Sequence, residues 1–330
     1  MHMTTIIPIA SGKGGVGKTV CTANLGVALA RMGKTVILVD LDLGGSNLHT
    51  CLGIRNNRAG IGNLIHKQED SLESLLVETA EKRLFFVPGD SLLPGTANLS
   101  YFRKEKIIKD LFGLVADFVL IDLGAGSAYN TIDFFLCANN GLVVVVPETT
   151  SVLNAYSFIK SAIFRLIYRS FPNRSEERRI ITEFSAGRLE GSDTKLGALA
   201  GLLAQVNPDN ALIVTERLQQ FVPRVILNMG KGTADVTIGA KLRQIARRNL
   251  EIELQYVGFV PEDPSVPRAI LDRSPAIVGN PSSPFAGAMS AIAERLIHSR
   301  TAGPPQLFDG DQDLDEVTRQ FFESTRTEQQ

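Results

Sequence analysis

Eight consecutive residues carry the clearest chemistry in the chain. Gly12-Lys13-Gly14-Gly15-Val16-Gly17-Lys18-Thr19 has the spacing G-x-x-x-x-G-K-[ST], and phosphate binding explains each position. Glycines let a backbone curl until successive N–H groups face one point. A helix starting there adds the partial positive charge of its N-terminus. Lys18 is placed to reach the β- and γ-phosphates of a nucleotide, and the Thr19 hydroxyl to ligate Mg²⁺. An apolar run at Thr5–Ala10 precedes the loop, and a helical pattern at Cys21–Met32, closed by Gly33, follows it. Strand, loop and helix in that order are the context the motif requires. The expected ligands are ATP and Mg²⁺, held at Gly12 through Val20.

Acids occur where such a site needs them. Asp40 and Asp42 end the run Val36–Asp40 and lead into Leu43-Gly44-Gly45-Ser46-Asn47-Leu48. Asp122 ends Val119-Leu120-Ile121 and is followed by Leu123-Gly124-Ala125-Gly126. Carboxylates at the C-terminal ends of strands sit where open α/β sheets place their ligands. Asp122 has the position of the acid that holds Mg²⁺, directly or through water. The glycines after it let a backbone N–H approach a γ-phosphate and let the loop move when that phosphate leaves.

The elements that must position these residues are legible as apolar runs. Besides those named, they are Leu84–Pro88, Leu142–Pro147, Val225–Asn228 and Leu254–Val260. Val143-Val144-Val145-Val146 shows no polar alternation, so both of its faces are covered. Strands alternate with helical patterns, which predicts an α/β fold: a mostly parallel twisted sheet with helices on both faces. Residues 157–222 are too long for one crossover, and a helical insertion is expected at about 165–222, packed on the edge of the core. One ATPase domain is expected over 1–300. After Gly303-Pro304-Pro305, residues 301–330 read as an acidic, flexible tail, although Leu314, Val317, Phe321 and Phe322 share one helical face.

Composition narrows the classes. The chain has 330 residues, 44% of them hydrophobic, and a net charge of −1. No global pull toward nucleic acid follows from that charge, and none is expected as a partner. Cys21, Cys51 and Cys137 lie far apart without a C-x-x-C pair, which argues against a zinc or iron–sulfur site within one chain. Met1-His2-Met3-Thr4 lacks a cationic leader, and no apolar run approaches the roughly 20 residues of a spanning helix. A cytoplasmic location is expected.

Lys13, directly after the first glycine, has no role in an ordinary phosphate loop. Lys-Gly-Gly-Val-Gly-Lys-Thr resembles the deviant Walker A of the MinD/ParA family of P-loop ATPases. The resemblance implies that Lys13 reaches a partner's nucleotide across an ATP-dependent homodimer, that Asp42 orients the attacking water, and that Asp40 supports the Mg²⁺ hydration shell. Lys13, Lys18 and Asp42 are thereby the expected catalytic set, and Thr19, Asp40 and Asp122 the metal set. Val225-Ile226-Leu227-Asn228 and Val257–Asp263 resemble the family's base-binding segments, which implies that Asn228 and Pro261 flank adenine. Val20 and Met229 depart from the commoner Thr and Arg of that pattern. Pro147-Glu148-Thr149-Thr150 through Asn154-Ala155-Tyr156 is similar to the FlhG/FleN flagellar-number branch, with Asn154 in place of Asp.

A slow, partner-stimulated ATP hydrolase follows from the resemblance, with an unidentified protein partner on the dimer. The family's basic membrane helix has an acidic counterpart here, which binds anionic lipid poorly. A peripheral place at the inner membrane is therefore the weaker of the two location expectations. The alternative function is a metallocluster carrier or reductase-like enzyme of the same superfamily. That reading needs paired cysteines, and Cys137 is a lone candidate.

Overall fold

The computed structural model describes residues 4–89, 99–186, 195–301 and 312–327. Eight strands form one sheet in the order β3-β4-β2-β5-β1-β6-β7-β8. They are β1 (Thr5–Ser11), β2 (Val36–Leu41), β3 (Val77–Glu78), β4 (Leu84–Val87), β5 (Phe118–Ala125), β6 (Leu142–Val145), β7 (Arg224–Gly230) and β8 (Gln255–Pro261). All pairings are parallel except β3 with β4. The seven parallel strands match the apolar runs in the sequence. The antiparallel edge strand β3, two residues long, is too short to leave a periodic signal.

The helices are α1 (Lys18–Arg31), α2 (Leu48–Cys51), α3 (Ile61–Ile65), α4 (Tyr101–Gly113), α5 (Tyr129–Phe135), α6 (Thr149–Arg169) and α7 (Glu176–Ala186). They continue with α8 (Leu196–Val206), α9 (Asp209–Gln220), α10 (Val236–Leu250), α11 (Ser265–Leu271), α12 (Ala276–Gly279), α13 (Pro284–Thr301) and α14 (Gln312–Thr327). Two cores result, one on each face of the sheet. Ile9, Leu38, Leu120, Val144 and Ile226 point to one face, under Leu25 and Leu29 of α1 and Met289 and Ile292 of α13. Val39, Ile121, Val143 and Leu227 point to the other, under α4, α5, α6 and α10. Residues of alternate parity feed different cores, which is why the strands read as unbroken apolar runs.

The long segment after β6 forms α6 and then three further helices among the described residues, α7 to α9. Leu199, Leu203, Val214 and Leu218 are buried in the same core as α6. Residues 187–194 within it lie outside the described residues. No described helix is long and apolar enough to cross a membrane.

The tail departs from expectation. Gln312–Thr327 form α14, docked on β8 and α10 rather than extending freely. Asp313 accepts a hydrogen bond from the backbone N–H of Tyr256 at 2.7 Å and pairs with Arg243, both side chains being buried. Leu314 is fully enclosed and Val317 nearly so. At least one tail acid thus serves as a buried counter-charge. The linker signal at 303–305, Asp309 and Asp311 lie outside the described residues, as do the side chains of Phe321 and Phe322. Asp313→Asn strips the charge from beneath Arg243, at a cost of about 1–3 kcal/mol. Amides at 312–319 are expected to exchange faster in the variant while β1 and β5 keep their protection; unchanged exchange would show that Asp313 does not hold the helix down.

Candidate functional site

β1 lies at the centre of the sheet, with β5 on one side and β6 on the other. The chain winds away from β1 in opposite directions at this point, and such a switch opens a crevice beyond the C-terminal strand ends. The loop 12–17 fills it. Gly15 and Gly17 take left-handed backbone angles, φ 80° and φ 83°, which side chains resist. Gly12 is fixed by crowding instead: a Cβ there would lie 2.1 Å from the carbonyl oxygen of Asn154 in α6. Gly17 caps α1 without any side-chain hydrogen bond. The first N–H groups of a 14-residue helix are therefore left to an anion.

Lys18 and Asp122 form the buried centre. Lys18 Nζ donates to Asp122 Oδ1 at 2.7 Å, with both side chains almost fully enclosed. The Thr22 hydroxyl, one turn along α1, donates to the same oxygen at 3.2 Å. Burial pushes the Asp122 carboxyl up, against the opposing pull of Lys18. Its second oxygen, Oδ2, is buried and has no hydrogen-bond partner. A buried orphan carboxylate oxygen is costly unless something fills it. Together with the Thr19 hydroxyl it offers hard oxygen ligands of the kind Mg²⁺ takes, so these residues fit the metal.

The two acids of the Asp40-Leu41-Asp42 segment do different things. Asp40 pairs in register with Asp122 across β2 and β5 and is fully buried. Burial, then the neighbouring Asp122, lift its carboxyl to about 7. Both of its oxygens are engaged within the following loop, by Asp42 N at 3.1 Å, Ser46 Oγ at 2.6 Å and Leu48 N at 3.1 Å. Asp40 therefore organises the loop and does not line the cleft. Asp42, one residue past the end of β2, does line it. A Cβ on Gly124 would lie 3.2 Å from its Oδ1, so Asp42 stands over the loop that follows β5.

The cleft has a volume of about 450 Å³. Gly14 to Val20, Asp42 and Ala125 form one wall; Asn228, Met229, Pro261 to Asp263, Val266, Ile270 and Phe285 form the other. That second wall has the mixed polar and apolar character that suits a purine. Asn228 holds the loop itself: its Nδ2 donates to the Val16 carbonyl at 2.8 Å. That bond uses one of the two N–H donors of the amide; the other and Oδ1 are left for the cleft that Asn228 lines. Met229, left-handed at φ 55°, carries its methyl group toward Gly17.

Gly12 and Lys13 do not line the cleft. The Lys13 ammonium turns to the start of α6, 2.9 Å from Glu148 Oε2 and 3.2 Å from Thr150 Oγ1. Sequence reasoning missed Thr22, although its spacing of four from Lys18 places it on the same helical face. It also missed Ser46 and the clasp on Lys13, which only the fold brings together. The cysteines are not convergent. Burial pushes the thiols of Cys21 and Cys137 up to about 12 and that of Cys51 to about 11. Among the described residues no three acids, cysteines or histidines gather as a metal set.

Comparison with known proteins agrees with this geometry. The chain is 27% identical over 299 residues to the antiactivator FleN of Pseudomonas aeruginosa, covering 90% of this chain and 87% of that protein. It is 37% identical over 161 residues to the septum site-determining protein MinD of Synechocystis, covering 46% of this chain and 57% of that one. The fold resembles that of MinD from Pyrococcus horikoshii, solved with Mg-ADP, with a TM-score of 0.61 at 23% identity over 92% of this chain and all of that one. Residues 7–276 match the family model described as the CobQ/CobB/MinD/ParA nucleotide binding domain, and the chain belongs to that family.

Proposed function

We propose that this chain is a Mg²⁺-dependent ATP hydrolase that works as an ATP-switched homodimer in regulatory or spatial control. The likeness to the antiactivator FleN along most of both chains supports a regulatory role, and the resemblance of Pro147–Tyr156 to the FlhG/FleN branch implies flagellar number or placement. One observation carries the dimer: beside a complete phosphate loop stands a second lysine, Lys13, whose ammonium lies outside its own cleft. A cation on the loop but outside the cleft suits a second nucleotide brought up face to face.

The residues divide the work as follows. Lys18 exchanges Asp122 for the β- and γ-phosphate oxygens. Asp122 Oδ2 and the Thr19 hydroxyl would hold the metal, which would supply charge neutralisation on those oxygens. Asp42 accepts a hydrogen bond from the attacking water and orients it toward the γ-phosphorus. Asp40 keeps the loop bearing Asp42 in shape through Ser46 and Leu48. Pro261 and Met229 flank the base. Turnover is slow because the useful product is a conformational state that a protein partner reads. A cytoplasmic location belongs to the same reading, with peripheral contact at the inner membrane as the weaker alternative.

Molar mass in solution tests it. Wild type is expected to be dimeric with Mg·ATP and monomeric with Mg·ADP. Lys13→Ala should stay monomeric with both while still binding nucleotide, since Lys18 is untouched. The surface contact Lys13 gives up, Glu148, is solvent-exposed and costs little to break. A wild type that remains monomeric with Mg·ATP, or a Lys13→Ala variant that dimerises normally, would overturn the proposal.

A further inference from the structure

β7 and β8 run between two sites. Asn228 and Pro261, toward their C-terminal ends, line the nucleotide cleft. Arg224 and Gln255 begin the same strands at the opposite edge of the sheet, where a second cavity of about 410 Å³ opens between β7, β8, α13 and α14. Arg224 is separated from Asn228 by about 13 Å of strand.

Arg224 is the anomaly in that cavity. It is only 4% exposed, and the one hydrogen bond of its guanidinium runs from Nε to Gln255 Oε1 at 3.1 Å. Among the described residues no carboxylate pairs with it. Burial, with no acid to oppose it, brings its guanidinium down to about 10. A buried charge left unpaired is costly unless a counter-charge arrives. Neither terminal nitrogen of Arg224 is among the sealed, partnerless atoms, and Arg224 lines the cavity.

The neighbouring charges do not supply the counter-charge. Asp313 is turned to Arg243 and to the Tyr256 N–H. Glu294 and Glu316 lie where they act on Arg295, whose Nη1 donates to the Val257 carbonyl at 2.9 Å. Arg224 remains as a planar fork aimed into a space that also has apolar walls, Val257 and Val317 among them. A guanidinium fork matches the paired oxygens of a carboxylate or phosphate, and the volume suits a small molecule.

We propose that this cavity is a binding site for a small anion, a carboxylate or phosphate compound gripped by Arg224, whose occupation ties the tail helix α14 to the sheet edge. The site is separate from the nucleotide cleft, and β7, β8 and α13 contribute residues to both. Because α14 forms one wall, the ligand strengthens tail docking without touching the P-loop.

Calorimetric titration of the full chain with inorganic phosphate and, separately, with citrate tests this. Saturating Mg·ADP is present throughout, so that the P-loop does not take the anion. Wild type is expected to bind at least one of the two, and which one it binds identifies the oxyanion class. Arg224→Met, of similar length and uncharged, should bind it at least tenfold more weakly. Hydrogen exchange on the wild type gives a second readout that does not depend on the variant folding: the bound anion should slow amides at 312–319 and around 255–257. Binding of neither anion, equal binding by Arg224→Met, or protection confined to the P-loop would each overturn the proposal. None of these outcomes bears on the ATP-dependent dimer, which is read by molar mass.

Discussion

Asp42→Ala is expected to lower ATP turnover by at least about 10²-fold, the low end of what a positioned acid–base group contributes, while leaving Mg·ATP bound. The phosphate contacts come from the loop backbone, Lys18 and Thr19, none of which depends on Asp42. The buried centre is likewise untouched, since Lys18 and Thr22 both engage Asp122. The loop should also keep its shape. Asp40, not Asp42, supplies the side chain that Ser46 and Leu48 bond to, and Asp42 contributes only its backbone N–H to that network. Affinity for Mg·ATP should therefore stay within a few fold of wild type, and the dimer should accumulate instead of turning over. Phosphate release measured beside equilibrium nucleotide binding separates the two effects. If turnover persists, another group orients the water. If binding collapses as well, Asp42 holds the loop, and the division of labour between the two acids is wrong.

That division shows where the sequence stops being informative. The P-loop was legible because its eight residues are consecutive and each has a local reason. The strands were legible because burial on both faces leaves unbroken apolar runs. Asp40 and Asp42 share the same parity along the chain, so strand alternation cannot tell them apart. What separates them is that β2 ends at Leu41. Asp40 is still paired with Asp122 of β5, while Asp42 lies past the last paired residue and turns over Gly124. Asn228 was found, yet its amide is directed to Val16, more than 200 positions away in sequence. The tail failed for the same reason. Its acids read as solvated charge because the buried partner of Asp313, Arg243, lies 70 residues earlier on another helix. Local motifs survive translation into sequence; pairings made by the fold do not.

Asp133→Asn should be strongly destabilising, costing about 3–5 kcal/mol as expected for breaking a buried ion pair from one side. Asp133, in α5, is 4% exposed. Arg165 of α6 grips it with both arms of its guanidinium, Nε to Oδ1 at 2.7 Å and Nη2 to Oδ2 at 3.0 Å. Lys104 of α4, also buried, pairs with Oδ2, and Arg169 stands 3.8 Å from Oδ1. One carboxylate thus fastens three helices, and Arg165 is braced further by the ring of Tyr129, 5.4 Å from its guanidinium carbon. An asparagine keeps the shape but leaves Lys104 and Arg165 without a counter-charge in a dry site. The exposed pairs of Arg179 with Glu176 and Glu183 are the contrast, because water and salt already screen them; neutralising those glutamates should leave the denaturant midpoint unmoved. The acid dependence has a defined sign. Burial pushes the Asp133 carboxyl up, but the hydrogen bonds from Arg165 and Lys104 outweigh it and the net shift is downward. A depressed folded value means the stabilisation is complete above the unfolded carboxyl value of about 3.9 and disappears as pH falls through the folded value. The gap between wild type and Asp133→Asn should therefore be full at neutral pH and narrow only in acid below the usual carboxylate range. Urea midpoints at neutral and acid pH measure it. A neutral-pH gap under about 1 kcal/mol, the range of an exposed pair, would mean that water reaches the cluster. Because α5 begins three residues after Gly126, the same variant should also loosen the loop on which Asp42 bears, so a loss of turnover is expected to accompany the loss of stability.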